Sequence, residues 1–199
     1  MRLATAALFL SSTALFIGCT DSSSQIHPDQ MAATSKKPTN VGSVVITGGV
    51  ETDPQDRGRP VVLIGNALGV TPKVFRDAFS GVTPAKSGPP SPSHARANKK
   101  ILMDALGKHG VTNNRLDEVS NYYRYRPQDG EIWTFVPATA KATIQNDKVV
   151  GIEIIESGSG YTTPPNISIV GYEDTRVIAE IQFSTNLQKN GRVVSLTLK

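Results

Sequence analysis

Glu51, Asp53 and Asp56, three acids within ETDPQD, form the densest set of proton-transfer groups in this chain. Two carboxylates flanking a sugar bond can act as acid and base in glycoside hydrolysis, and an oxygen-rich loop can hold calcium. The spacing is not that of an EF-hand, and Arg57 and Arg59 follow at once. The composition therefore favours a salt-bridged loop over a metal or catalytic centre. His27, His94 and His109 lack zinc-ligand spacing, and the serines form neither a nucleophile elbow nor a Ser/His/Asp set. A second constellation is aromatic and basic: Tyr122, Tyr123, Arg124, Tyr125 and Arg126, with Trp133 shortly after. Ring planes beside guanidinium groups can stack on sugars or bind an acidic partner. The remaining reactive group is Cys19, the only cysteine in the sequence. A lone thiol makes no internal disulfide, so in an exported protein it needs another role.

The residues around Cys19 supply that role. Met1-Arg2 places one positive charge ahead of the apolar stretch Leu3 to Leu10, and Ala14 to Gly18 leads into the cysteine. A short basic start, a short apolar run and a small residue before the cut fit an export signal. The run is too short for a membrane span, which needs roughly 20 apolar residues. Leu15-Phe16-Ile17-Gly18-Cys19 resembles the lipobox of bacterial lipoproteins, with Phe16 in place of the usual Leu. The resemblance implies diacylglycerol on the Cys19 sulfur, cleavage before it and acylation of the new amine, with palmitate-type chains. Residues 1–18 are then the signal peptide, and the protein is lipid-anchored. In enteric bacteria Asp after the cysteine retains a lipoprotein in the inner membrane; Thr20 stands there, which points to the outer membrane, with the domain periplasmic or surface-facing.

Residues 19–42, TDSSSQIHPDQMAATSKKPTNVG after the cysteine, are rich in Ser, Thr, Pro and charge and carry His27 without periodic apolar company. Such a stretch buries too little to offset its ordering entropy and reads as a flexible tether. The formal charge of +4 includes Arg2, which leaves with the signal. Charges of both signs are interspersed and no basic run marks a nucleic-acid groove.

Apart from Trp133, both constellations fall in the same part of the chain. Residues 43–126 read as mainly helical. Val44-Val45-Ile46-Thr47 is a β-branched strand stopped by Gly48-Gly49. Four short helices follow. The first is read from Pro60 to Leu68, with Leu63/Ala67 and Ile64/Leu68 at i,i+4, although the short Val61 to Ile64 run also fits a buried strand. Thr71-Pro72 and Ser91-Pro92 each give an N-cap and a first-turn proline for the next two. Thr112-Asn113-Asn114 offers caps for the fourth, where Asn114 and Asp117 resemble a capping box. Lys99 and Lys100 lie off the apolar stripe of the third helix and read as solvated. Lys108 and His109 suit a helix C-terminus.

Residues 127–199 read as a β-rich module. Ile132 to Val136 looks like a strand, and Ala142 to Ile155 alternates about the turn Asn146-Asp147-Lys148. After the turn of Gly158, Ser159, Gly160 and Tyr161, Asn166 to Val170 resumes, giving a meander of hairpins. The pattern then restarts: Ala142-Thr143-Ile144-Gln145 is echoed by Ala179-Glu180-Ile181-Gln182, and Val149 to Ile154 by Val193 to Leu198. One full repeat unit and about half of another fit, and repeats of this kind need a neighbour or cap to cover their faces. The motif G-S-G-Y-x-x-P-P from Gly158 resembles a β repeat of bacterial cell-surface and phage tail proteins. The segments ITGGVETDPQDRGRPVVLIGNALGV, VFRDAFSGVTPA and GVTNNRLDEVSNYYRYRP resemble uncharacterised exported proteins of planctomycetes and related bacteria.

The sequence thus predicts an α+β fold, with about four short helices packed on an antiparallel module of repeated hairpins. It predicts a non-enzymatic envelope lipoprotein acting as a structural or interaction module, with no cofactor and no metal. Its partners are the membrane, through Cys19, and an envelope protein or polysaccharide, not nucleic acid. The alternative is a carbohydrate- or small-ligand-binding lipoprotein using Trp133, Tyr122, Tyr123, Tyr125, Arg124 and Arg126; a hydrolase built on Glu51, Asp53 or Asp56 ranks third.

Overall fold

The computed structural model describes residues 40–83, 85, 88–125, 130 and 132–199; Cys19, His27 and Arg126 lie outside them. These residues belong to one compact unit, Lys37–Lys199, and have an α+β fold. No described helix is long and apolar enough to cross a membrane. After strand β1 (Val44–Thr47) come helices α1 (Val61–Ala67), α2 (Pro72–Ser80), α3 (Pro92–Leu106) and α4 (Asn113–Tyr122). Strands β2 (Thr139–Gln145), β3 (Lys148–Glu156), β4 (Asn166–Ile169), β5 (Val177–Gln182) and β6 (Arg192–Leu198) follow.

The proline-led helices start where their caps predict. Thr71 Oγ1 accepts from the Val74 N–H at 3.3 Å and Ser91 Oγ from the His94 N–H at 3.2 Å. The fourth helix differs. Its cap is Thr112, whose hydroxyl accepts from the Arg115 N–H at 3.2 Å, so Asn114 is already inside the helix. Asp117 is therefore too far along to close a capping box and pairs with Lys99 of α3 at 2.6 Å. Lys100 pairs with Asp104 one turn on. Leu63, Phe75, Leu106, Leu116 and Val119 bury their side chains together, and Trp133 joins them.

The β part departs from a simple meander. β2–β3 and β5–β6 are antiparallel hairpins, but β4 pairs with β1, Val44 facing Ile169 and Thr47 facing Asn166. Contacts between β1 and β2, β3 and β6, and β4 and β5 join the three two-stranded sheets. Neighbours therefore run β1–β4–β5–β6–β3–β2 and back to β1. Each sheet has only two hydrogen-bonded strands, so the circuit is closed by packing between sheets and not by one continuous ladder. The two echoed hairpins match in detail. Thr143 lies opposite Gly151 and Glu180 opposite Ser195, and each ladder slips immediately after that residue. Asn146 and Asp147 both take positive φ, 49° and 59°, which suits a two-residue turn of the hand that hairpins favour.

Ile132 to Val136 is not a strand; only Val136 bridges, to Ser159. The chain bends here because its polar and aromatic side chains go elsewhere. The Trp133 indole enters the helical core, Thr134 Oγ1 donates to the Tyr122 carbonyl at 2.9 Å, and Pro137 lacks an N–H to continue a ladder.

The GSGY segment lies at the centre. Tyr161 is 1 % exposed, and residues of β1, β3, β4, β5 and β6 pack around it. Its phenol oxygen accepts from the Ala138 N–H at 2.8 Å. Gly160 and Tyr161 donate their N–H groups to the carbonyls of Asn190 and Gly191, each at 2.9 Å, and Thr162 donates to Gly49 at 2.8 Å. Gly191 must be glycine: its φ is +66°, and a Cβ there would lie 2.2 Å from the Tyr161 carbonyl oxygen. The seam between helices and strands runs through Asn190, fully buried. Its amide donates to the Leu63 carbonyl at 2.8 Å and to Tyr123 Oη at 2.9 Å, and its Oδ1 accepts from the Ser184 N–H at 3.0 Å.

Candidate functional site

The three predicted acids are drawn apart by local bonding. The Glu51 carboxylate folds back to accept from the Gly49 N–H at 2.9 Å and from the Thr163 hydroxyl. The Thr163 hydrogen bond, then the backbone donors, hold its acid strength above that of an ordinary glutamate, that is, its pKa is lowered. Asp53 caps the turn Pro54–Asp56, accepting from the Gln55 side chain at 2.7 Å and its N–H at 3.0 Å, and its pKa is lowered for the same reason. Asp56 is buried and takes two parallel bonds from Arg76 of α2, Nε at 2.7 Å and Nη2 at 2.8 Å. That fork raises the Arg76 pKa further, the Asp56 hydrogen bond being the main cause. Each carboxylate thus has a structural partner. No group of three or more His, Cys, Asp or Glu able to hold a metal is found among the described residues.

The same bonding positions the arginines. Because Arg76 takes Asp56, the two arginines that follow the acids in sequence are left facing a groove. Arg57 ends the 3-10 turn in the left-handed region at φ 51°, where a side chain costs conformational energy that glycine avoids. Arg59 donates from Nη1 to the Asp56 carbonyl at 3.3 Å and lies over the Phe79 ring, 4.8 Å from its centroid. Arg124, just past α4, donates to Asn121 Oδ1 at 2.8 Å. None of Arg57, Arg59 or Arg124 has an ion-pair partner among the described residues.

Two depressions meet at Arg57, Arg59 and Phe79. One, of about 350 Å³, also borders Gln55, Asp56 and Arg76. The other, of about 390 Å³, is floored by Ile64, Phe75, Leu102 and Tyr123 and rimmed by Arg124 and Tyr125. Tyr125 closes one wall by resting on Gly58, where a Cβ would come within 2.4 Å of its hydroxyl. Phe79 also lines this depression, one turn from Phe75 on α2 with the two ring centroids 5.8 Å apart.

Of the residues singled out in the sequence, the groove gathers Tyr123, Arg124 and Tyr125. Tyr123 offers it little more than an edge: it is 2 % exposed, its hydroxyl bonded to Asn190. Burial pushes its phenol from 10.0 up to about 12. Tyr122 stands edge-on to Tyr123, its pKa also raised by burial, and borders a separate depression with Val136, Glu156 and Arg192. Trp133 is 4 % exposed, its indole N–H bonded to the Gly160 carbonyl at 2.8 Å, so its ring is core rather than platform. Arg57 and Arg59 were legible only as partners for nearby acids. The signal that separates them is Phe75/Phe79 with Arg76 between, which brings a competing guanidinium to Asp56.

No protein-family model, curated protein or solved structure matches this chain.

Proposed function

We propose that this chain is a non-enzymatic, lipid-anchored envelope protein that serves as an interaction module. Cys19 holds it to the membrane and the arginine-rimmed groove receives its partner. The groove is the observation that carries the reading. Three guanidinium groups without carboxylate partners among the described residues border an apolar floor, while Glu51, Asp53 and Asp56 are bonded within the fold. Guanidinium forks beside desolvated apolar surface are what binding sites concentrate. The alternative, a carbohydrate- or small-ligand-binding lipoprotein, is favoured by the groove's volume, within the roughly 300–1,000 Å³ of small-molecule sites. Among the aromatic residues singled out in the sequence it must rely chiefly on Tyr125, because Trp133 and Tyr123 are buried.

Two measurements test the proposal in cells. Metabolic labelling with an alkyne fatty acid should mark the wild-type protein and place it in the membrane fraction. Cys19→Ala should abolish both; an unlabelled wild-type protein removes the anchor from the reading. A photo-crosslinking residue at Ser120, on the groove, should capture one envelope component reproducibly, while one at Lys73 should not. Equal capture from both positions, or capture from neither, counts against an interaction module working through this groove.

A further inference from the structure

We propose that the groove between the 51–60 loop, α2 and the end of α4 binds an acidic peptide segment of a protein partner, one whose carboxylate neighbours a bulky apolar side chain. The inference rests on the interaction-module reading and names the partner's chemistry. Charge complementarity is the first argument. Arg57, Arg59 and Arg124 border one continuous surface with no acid paired to them among the described residues. Each guanidinium keeps N–H donors beyond the single hydrogen bonds that Arg59 and Arg124 make to Asp56 and Asn121. A carboxylate is the planar acceptor that such forks match in two parallel bonds.

Shape is the second argument. The two depressions, about 350 and 390 Å³, lie side by side and share Arg57, Arg59 and Phe79. Two adjacent depressions, rather than one chamber, suit successive side chains of an extended segment. The floor of Ile64, Phe75, Leu102 and Tyr123 is apolar, so it favours a hydrophobic anchor rather than the hydroxyls of a sugar. Preorganisation is the third. Arg59 is held by both the Phe79 ring and the Asp56 carbonyl, and Asp56 is itself fixed by Arg76. A cation held in place before binding loses less side-chain freedom when the anion arrives.

The test uses the full-length lipoprotein in nonionic detergent, immobilised and offered two pools of short peptides. One pool has a fixed central Glu with randomised flanks; the other has Gln in its place. Recovered peptides should come from the Glu pool and carry Phe, Tyr, Leu or Ile next to the Glu. The best of them should bind roughly tenfold or more weakly to Arg57→Gln/Arg124→Gln, two exposed changes checked for an unaltered thermal midpoint, and weaken as salt rises. Recovery of Glu and Gln peptides alike, or equal affinity for wild type and variant, overturns the proposal. If 3-phenylpropionate binds as tightly as the best peptide, the groove serves a small carboxylate and the peptide assignment is overturned. Crosslinking from Ser120 to an envelope component, without any Glu preference, would keep the interaction module and reject this ligand class.

Discussion

Asn190 decides more than any other single side chain, because three unlike parts of the molecule end on it. Its amide reaches the α1 carbonyl of Leu63 and the phenol of Tyr123, and its oxygen takes the Ser184 N–H. Asn190→Ala removes the amide donor from the Leu63 carbonyl and the acceptor from the Ser184 N–H, leaves the Tyr123 hydroxyl only its 3.4 Å bond to the Leu187 carbonyl, and opens a small void. It should cost about 3 kcal/mol or more, read by urea denaturation. Tyr123 adds a pH signature. Its phenol titrates at about 12 in the folded protein against 10.0 ordinarily, and a raised pKa means the neutral form is the one the fold favours. The stabilisation is whole below pH 10.0 and declines as pH rises towards about 12. Tyr123→Phe cannot ionise, so although its neutral-pH stability drops by about 1 kcal/mol through the lost acceptor, its alkaline decline should be shallower. The slope that remains belongs to other phenols such as Tyr122, also raised by burial. Equal slopes for wild type and Tyr123→Phe would mean the phenol is open to water.

At the scale of elements, local chemistry wrote most of the helices into the sequence. Thr71-Pro72 and Ser91-Pro92 fix two starts through hydroxyl and ring, with no help from the rest of the fold. The start of α4 was less legible, since Thr112, Asn113 and Asn114 can all cap and only the built helix selects Thr112. That selection is testable. Thr112→Ala should cost about 1 kcal/mol, and Asn114→Ala should be neutral or slightly stabilising, because Ala suits a helix interior better than Asn. The reverse order in thermal melts would restore Asn114 as the cap. The echoed hairpins were legible, because alternation and turn residues act locally, whereas their equivalent slips emerge only in the paired ladders. The β1–β4 pairing was not, since those strands are separated by all four helices and share no sequence signal. The site divides the same way. Tyr123, Arg124 and Tyr125 were visible as a cluster. The freeing of Arg57 and Arg59 depends on Arg76 arriving at Asp56 from α2, a contact across sequence that no local pattern announces.

Across the whole molecule, the question is whether helices and strands can part company. The bonds at their seam say they cannot. The indole N–H of Trp133, a member of the helical core, ends on Gly160 in the strand core, and Asn190 returns the connection to Leu63 and Tyr123. Phe183 and Leu187, from the β5–β6 connection, pack on the helical cluster, and β1 crosses the other way by pairing with β4. Separating the halves would expose apolar surface on both and strand buried polar groups at once, which makes a half-folded state costly. Unfolding should therefore be a single transition. Trp133 fluorescence, which reports the seam, should coincide in urea with far-ultraviolet circular dichroism, which reports helices and strands together. An isolated 127–199 fragment should lack cooperative melting, because it loses both the β1 partner of β4 and the helical cover of Phe183. Two separated transitions, or a fragment that melts cooperatively, would make the β part an independent module. In that case Asn190→Ala should shift only the transition reported by Trp133, whereas in a single cooperative unit it moves both probes equally.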